Sequence, residues 1–174
     1  LVCGTTGFDD EEMESFKKAT KSVPIVYAAA TSPGVNAIFE TLPVLLEKLD
    51  KLAGPQPEIE IMEMHDRCKV DAPSGTTLDI GEIIAETLDR DPDEVNTDKP
   101  EDPSQRKRKI VFHSVRAGDI RSVHKIIIVL KGERIEIEHH LRDWSCCARG
   151  AIRAARFIKG KENGFYAMKD VYRY

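Results

Sequence analysis

The chain has 174 residues, 41% of them hydrophobic and 32% charged, with 26 Lys and Arg set against 30 Asp and Glu. That length gives about one domain by the prior of ~100–200 residues per domain, and it suffices for a buried core. The hydrophobic fraction excludes a disordered polymer, apolar runs as short as Val23–Ala30 and Ile126–Leu130 exclude a helical membrane span, and a net charge of −4 argues against a chain whose chief partner is a polyanion.

Leu1-Val2-Cys3-Gly4-Thr5-Thr6-Gly7 reads as the end of a β-strand entering a Gly-Thr turn, with no initiator Met. The chain is therefore expected to be the C-terminal part of a longer polypeptide. Thr6 or Asp9 is placed to cap a short helix through Lys18, with Glu11 and Glu12 in a first turn that favours negative charge. Val23–Ala30 is an apolar run of strand length. Thr31-Ser32-Pro33-Gly34 then turns into a helix whose Val35, Ile38, Phe39, Leu42, Leu45, Leu46 and Leu49 form one buried face, with Pro43 expected to bend it.

Gly54-Pro55-Gln56-Pro57 breaks the chain, and the alternation of Glu58-Ile59-Glu60-Ile61 predicts a strand to about Met64. Leu78, Ile83, Ile84 and Leu88 mark a second amphipathic helix. Asp89–Lys109, polar and with three prolines, reads as a long exposed loop. Strands follow at Ile110–Arg116, Ile120–Leu130 and Glu133–His140, an expected antiparallel meander. A helix over Trp144–Ile158 comes next, and Trp144 and Phe157 are assigned to the core.

Cys3, Cys68, Cys146 and Cys147 are expected to be small buried hydrophobes in a reducing, cytoplasmic compartment, because adjacent thiols such as Cys146 and Cys147 suit no disulfide scaffold. Two further signals are set aside. His139-His140 with Cys146-Cys147 lacks the spacing of metal ligands, so no metal is expected. The basic run Gln105–Lys109 reads as a solvated segment, so no nucleic acid is expected either.

Chemistry concentrates between Glu63 and Thr77. His65, Arg67 and Lys69 follow a strand end, where α/β proteins bind ligands. Ser74-Gly75-Thr76-Thr77 opens a helix with unsatisfied amides, a ready anion site. His and Lys together can deliver protons. The segment therefore suits an anionic substrate, a carboxylate, that is to be protonated. Gly4-Thr5-Thr6-Gly7 and Ala28–Gly34 are strand-end turns whose small residues allow a ligand to approach the backbone.

Lys69–Thr76, read as Lys-Val-Asp-Ala-Pro-Ser-Gly-Thr, resembles the dihydrodipicolinate reductase family. So do Gly4–Phe8, Gly34-Val35-Asn36, Val115–Ile120, His124, Gly132-Glu133-Arg134 and Ala148–Ala151. The resemblance spans nearly the whole chain and lacks the family's N-terminal nucleotide-binding half. It implies an α/β fold: a remnant of a Rossmann-like dinucleotide domain (1–31 and 145–174) and an α+β substrate and oligomerisation domain (32–144) with a mixed, largely antiparallel sheet. It also implies a homotetramer, with Lys125–Leu130 buried, and reduction of a cyclic imine dicarboxylate by NADPH or NADH in lysine biosynthesis. By position, His65 and Lys69 match the catalytic pair, and Asp66, Gly75 and Thr76 the substrate-binding residues. Gly4, Thr5, Thr6, Ala28, Ala29, Ala30 and Thr31 match the cofactor turns.

The chain also departs from the family. Asp66 replaces a second His, Ala30 an Asn, Ser122-Val123 a Gly-Glu pair, and Arg142-Asp143-Trp144 a Ser-Ser-Arg. The alternative these support is a non-catalytic or divergent paralogue that binds a small dicarboxylate or a partner protein. The fragment alone is expected to be inactive.

Overall fold

The computed structural model describes residues 1–54, 57–90, 95–96 and 109–173. In chain order they form β1 (Val2–Cys3), α1 (Asp10–Ala19), β2 (Ile25–Tyr27), α2 (Pro33–Ala53), β3 (Glu58–His65) and α3 (Gly75–Thr87). There follow β4 (Val95–Asn96), β5 (Ile110–Arg116), β6 (Ser122–Leu130), β7 (Glu133–Leu141), α4 (Ser145–Ile158), β8 (Phe165–Tyr166) and α5 (Met168–Tyr172). They divide into two units, Leu1–Ala37 with Trp144–Tyr174, and Ile38–Asp143.

In the first unit β1, β2 and β8 make a parallel sheet with β2 at its centre. A central strand is covered on both faces, which suits the unbroken apolar run Ile25–Tyr27; Ile25 and Val26 are fully buried. Val26 packs with Ala154 and Ile158 of α4 and with Met168 and Val171 of α5. Phe8, Phe16, Tyr27 and Phe165 form a ring cluster with centroids 5.4–6.3 Å apart. Of the two candidate caps of α1, Asp9 is the one used. Its side chain accepts from the Glu12 amide at 2.8 Å, and the Glu12 carboxylate accepts from the Asp9 amide at 3.1 Å.

The second unit is a five-stranded sheet in the order β4-β5-β3-β6-β7. Ile59, Ile61, Ile110, Phe112, Ile126 and Ile128 present one face to Leu42 and Leu46 of α2 and to Ile80 and Ile84 of α3. The tight connection at Lys131-Gly132 uses the positive φ of 84° at Gly132, which glycine adopts without steric penalty.

Several expectations change here. The meander reduces to the β6–β7 hairpin, because β3 inserts between β5 and β6, parallel to one and antiparallel to the other. The sheet is therefore mixed, with two parallel and two antiparallel pairings. Val95–Asn96 is a short strand rather than loop, and Arg90 is buried, its guanidinium donating to the Pro57 carbonyl at 2.6 Å. Residues 91–94 and 97–108, which hold most of the basic run, lie outside the described residues, as do 55–56. The helix α2 continues through Pro43, as the apolar positions on either side of it imply. In α3 the buried positions are Thr77, Ile80, Gly81, Ile84 and Ala85, while Leu78 is exposed. Trp144 precedes α4 and is exposed, not core. Cys68 is also exposed, and Cys3, Cys146 and Cys147 are only half-buried, so the thiols are not core hydrophobes.

Candidate active site

The site grows out of the two-residue period of β3. Ile59 and Ile61 face the core, and the same face continues into Glu63 and His65. Cross-strand register extends each position sideways. Phe112, Ile61, Ile126 and Ile137 form an apolar row; Ser114, Glu63, His124 and His139 form the next; Arg116, His65, Ser122 and Leu141 form the last. The covered face is thus apolar along most of β3 and titratable at its C-terminal end.

Most polar side chains in these rows are held by another, while the His139 ring lies beside that of His124 with centroids 6.4 Å apart. Glu63 is fully buried; its carboxylate accepts from His65 Nδ1 and, at 2.7 Å, from Arg116 Nη2. Burial opposes its ionisation, yet hydrogen bonds from His65, Arg116 and Ser114 hold the Glu63 pKa down at about 2. His65 Nε2 lies 3.0 Å from Ser122 Oγ. The His124 ring stands edge-on to His65 with centroids 5.3 Å apart. Burial, and then its neighbours His65 and His139, push the His124 pKa down to about 4, so its imidazole is neutral at pH 7.

His124 joins this network to the mouth of α3. Its Nε2 lies 3.3 Å from Oγ of Ser74, the helix N-cap, which also bonds the Thr77 amide at 3.3 Å and the Thr77 hydroxyl at 2.9 Å. With Thr77 so engaged, the amides of Gly75 and Thr76 are the first two donors of the helix, which no carbonyl within the helix can satisfy. The loop between β3 and α3 folds on itself: Asp66 Oδ1 accepts from the Cys68 amide at 2.8 Å, and the Lys69 amide donates to Asp66 O at 3.3 Å. It is tied to the β5–β6 connection by Arg67 N to Gly118 O (3.3 Å) and Ala117 N to His65 O (3.0 Å). Lys69 is half-buried in an ion pair with Asp71 at 2.8 Å, and Arg116 also donates to the Asp71 carbonyl. Burial opposes ionisation of Asp71, but Lys69 holds its carboxyl below the usual range.

The structure therefore brings His65, Lys69, Gly75 and Thr76 to one end of the second unit. Asp66 sits there as a turn former whose carboxylate is engaged by the loop's own backbone. Sequence reasoning did not single out Glu63, Arg116 or Ser122 as site residues. The signal for Glu63 was its parity: two and four residues after Ile61 and Ile59, it shares their face. His139 and His140 point to opposite faces of β7, His140 pairing with Glu138 at 2.8 Å.

The expected cofactor turns lie in the first unit. Gly4–Thr6 and Ala28–Thr31 follow the C-terminal ends of the adjacent parallel strands β1 and β2, joined by Ala28 N to Cys3 O at 3.0 Å. The Ala30–Thr31 backbone is fixed from several sides. Asn36 Nδ2 donates to Ala30 O at 2.9 Å, Tyr172 Oη to Thr31 O at 2.8 Å, and Thr31 Oγ1 to Cys147 O at 2.9 Å. The mouth of α1, in contrast, carries Asp9, Asp10, Glu11 and Glu12, a set that repels phosphate. No helix among the described residues is long and apolar enough to cross a membrane.

A family model for the C-terminus of dihydrodipicolinate reductase matches residues 34–172. A curated 4-hydroxy-tetrahydrodipicolinate reductase from Cupriavidus pinatubonensis is 45% identical over 173 residues, covering 98% of this chain and 64% of that protein. The solved dipicolinate-bound dihydrodipicolinate reductase from Paenisporosarcina sp. TG-14 is similar in fold. Its TM-score is 0.62 at 21% identity, covering 95% of this chain and 62% of that one. The chain thus spans slightly less than two thirds of the length of these relatives.

Proposed function

The chain belongs to the dihydrodipicolinate reductase family, and on that premise we propose that it is the substrate-binding part of a nicotinamide-dependent 4-hydroxy-tetrahydrodipicolinate reductase of lysine biosynthesis. One arrangement supports the reading: the α3 mouth with its unpaired first amides, Lys69 and His65 lie at one end of the second unit. A carboxylate accepts from the Gly75 and Thr76 amides and from the Thr76 hydroxyl, favoured by the positive end of α3. The Lys69 ammonium, shared with Asp71, neutralises negative charge beside it. His65 and Lys69 hold the protons that the reduced ring takes up. Asp66 shapes the turn on which Lys69 stands.

The strand-end turns of the first unit fit a nicotinamide better than a pyrophosphate. Gly4 and Ala28–Ala30 offer small side chains and fixed backbone, whereas the acidic mouth of α1 turns phosphate away. Gly4, Thr5, Thr6 and Ala28–Thr31 would hold NADPH or NADH, which supplies a hydride when bound. A cytoplasmic homotetramer is the expected working form, and the 174-residue chain alone is expected to be inactive.

The test joins this chain to the segment its longer relatives carry and follows NAD(P)H oxidation with the cyclic imine dicarboxylate. Turnover is expected, and Lys69→Ala should lower kcat by about 10²–10⁴-fold, the usual worth of a proton-transferring group. Unchanged turnover in that variant rejects the role of Lys69. The pairing of Lys69 with Asp71 favours a second reading, a dicarboxylate-binding paralogue without turnover. Calorimetric binding of dipicolinate with no NAD(P)H oxidation would select it.

A further inference from the structure

The proposed proton transfer assigns His65 a task but says nothing of what sets its ring. A histidine that moves protons must present a defined nitrogen in a defined tautomer, and that is governed by what its other nitrogen bonds. Here both nitrogens are engaged within the fold, and the residue is 6% exposed.

We infer that Glu63 is the positioning residue of this site: its buried carboxylate, anchored by Arg116, fixes His65 as the Nδ1–H tautomer and leaves Nε2 to exchange protons at the Ser122 hydroxyl. The inference rests on the proton-transfer role proposed above for His65. An ionised carboxylate only accepts, so the nitrogen facing it must donate. Glu63 is kept ionised by the groups around it. Arg116 donates to Oε1, and Ser114 bonds it from the neighbouring strand, a set consistent with its low pKa. The other titratable neighbours do not compete for His65 Nδ1. His124, across the sheet on β6, bonds Ser74; His139, on β7, lies beyond His124; Lys69 is paired with Asp71.

Ser122 fits the opposite nitrogen in either protonation state. Its hydroxyl donates to Nε2 of the neutral ring and accepts from Nε2–H of the imidazolium, so one proton can be gained or lost there without breaking the contact. A fully buried carboxylate in an otherwise isoleucine-rich face is costly to fold, and the tautomer it enforces gives it a function.

The test reads the tautomer directly, by long-range ¹H–¹⁵N correlation on ¹⁵N-histidine-labelled chain at pH about 9, where a free imidazole is neutral. His65→Gln identifies the His65 signals. The wild type is expected to show protonated Nδ1 and bare Nε2. In Glu63→Gln, Arg116 holds the amide oxygen on its own side, so the amide NH₂ faces Nδ1 and the protonated nitrogen should switch to Nε2. Glu63→Asp, which keeps the acceptor, should keep the wild-type pattern.

A wild-type Nε2–H signal overturns the inference even if Glu63→Gln fails to fold, and so does a Glu63→Gln spectrum with Nδ1 still protonated. In the joined, longer polypeptide the Glu63→Gln change should lower kcat by about 10–100-fold with KM unchanged. An unchanged kcat beside a switched tautomer also overturns it. Absence of any reductase activity in the wild type counts against the proposed function alone, since the tautomer is read without turnover.

Discussion

Asp79 stands on α3 at the opposite extreme from Glu63. Burial, and then the Glu82 carboxylate one turn on, push its pKa up to about 6 from 3.8. A carboxyl whose folded-state pKa is raised contributes its full stability below about pH 3.8 and loses it as the pH climbs through 6. At neutral pH the ionised form therefore opposes folding by on the order of 1–3 kcal/mol, the lower end applying because the side chain is partly exposed. Asp79→Asn should raise the melting temperature at pH 7.5 and leave it nearly unchanged at pH 4. Equal gains at both would point to something other than charge. The same pair of residues shows what the sequence discloses at this scale. The cluster from Glu63 to Thr77 was visible because strand end, basic residues and helix start fall together. Which carboxylate is buried and paired was not, since it depends on Arg116 arriving from a strand 53 residues away.

Elements were legible where periodicity is long and neighbours in sequence are neighbours in space. The helices α2, α3 and α4 and the β6–β7 hairpin belong to that group. The pairing of β3 between β5 and β6 does not, because alternation reports which face a strand buries and not which strand lies beside it. The two-residue strands β4 and β8 carry no periodic signal at all. Close backbone approach is equally silent in a pattern of apolar residues, and Gly150 is the clearest instance. A Cβ built there would lie 1.8 Å from the carbonyl oxygen of Thr31 and 3.1 Å from Tyr172 Oη, the pair already joined by a hydrogen bond. Backbone cannot yield as a flexible side-chain end does, so α4 would have to lift from the Ala30–Thr31 turn. Gly150→Ala, ordinarily helix-stabilising, should instead lower stability by about 2 kcal/mol or more in chemical denaturation. A neutral or stabilising result would show that α4 does not pack against that turn.

At the scale of the whole molecule, the two units differ in what they bury. In the first, the core is Val26, Ala154, Ile158, Met168 and Val171, and its buried polar side chains are Ser32 and Asn36, neither of which titrates. The second buries Glu63, His65 and His124 and contains all five histidines. The His124 pKa lies at about 4 in the folded chain, against 6.5 for a free imidazole. A depressed histidine contributes its full stability above about pH 6.5, and loses it as the pH falls toward 4, because the unfolded chain takes the proton first. That loss is on the order of 3 kcal/mol. Glu63, held at about 2, adds a second loss from about pH 4.5 downward. Relief of the Asp79 charge on α3 over the same range gives back about 1 kcal/mol, less than protonation of His124 removes, so acid should still loosen the second unit before the first. Hydrogen exchange between pH 7 and 4, corrected for intrinsic rates, should show amides of β3, β6 and β7 losing protection while those of α4 and β2 keep theirs. Simultaneous loss in both units, or earlier loss in α4, would mean that the buried Glu63–His65–His124 network does not set the acid limit of this fold.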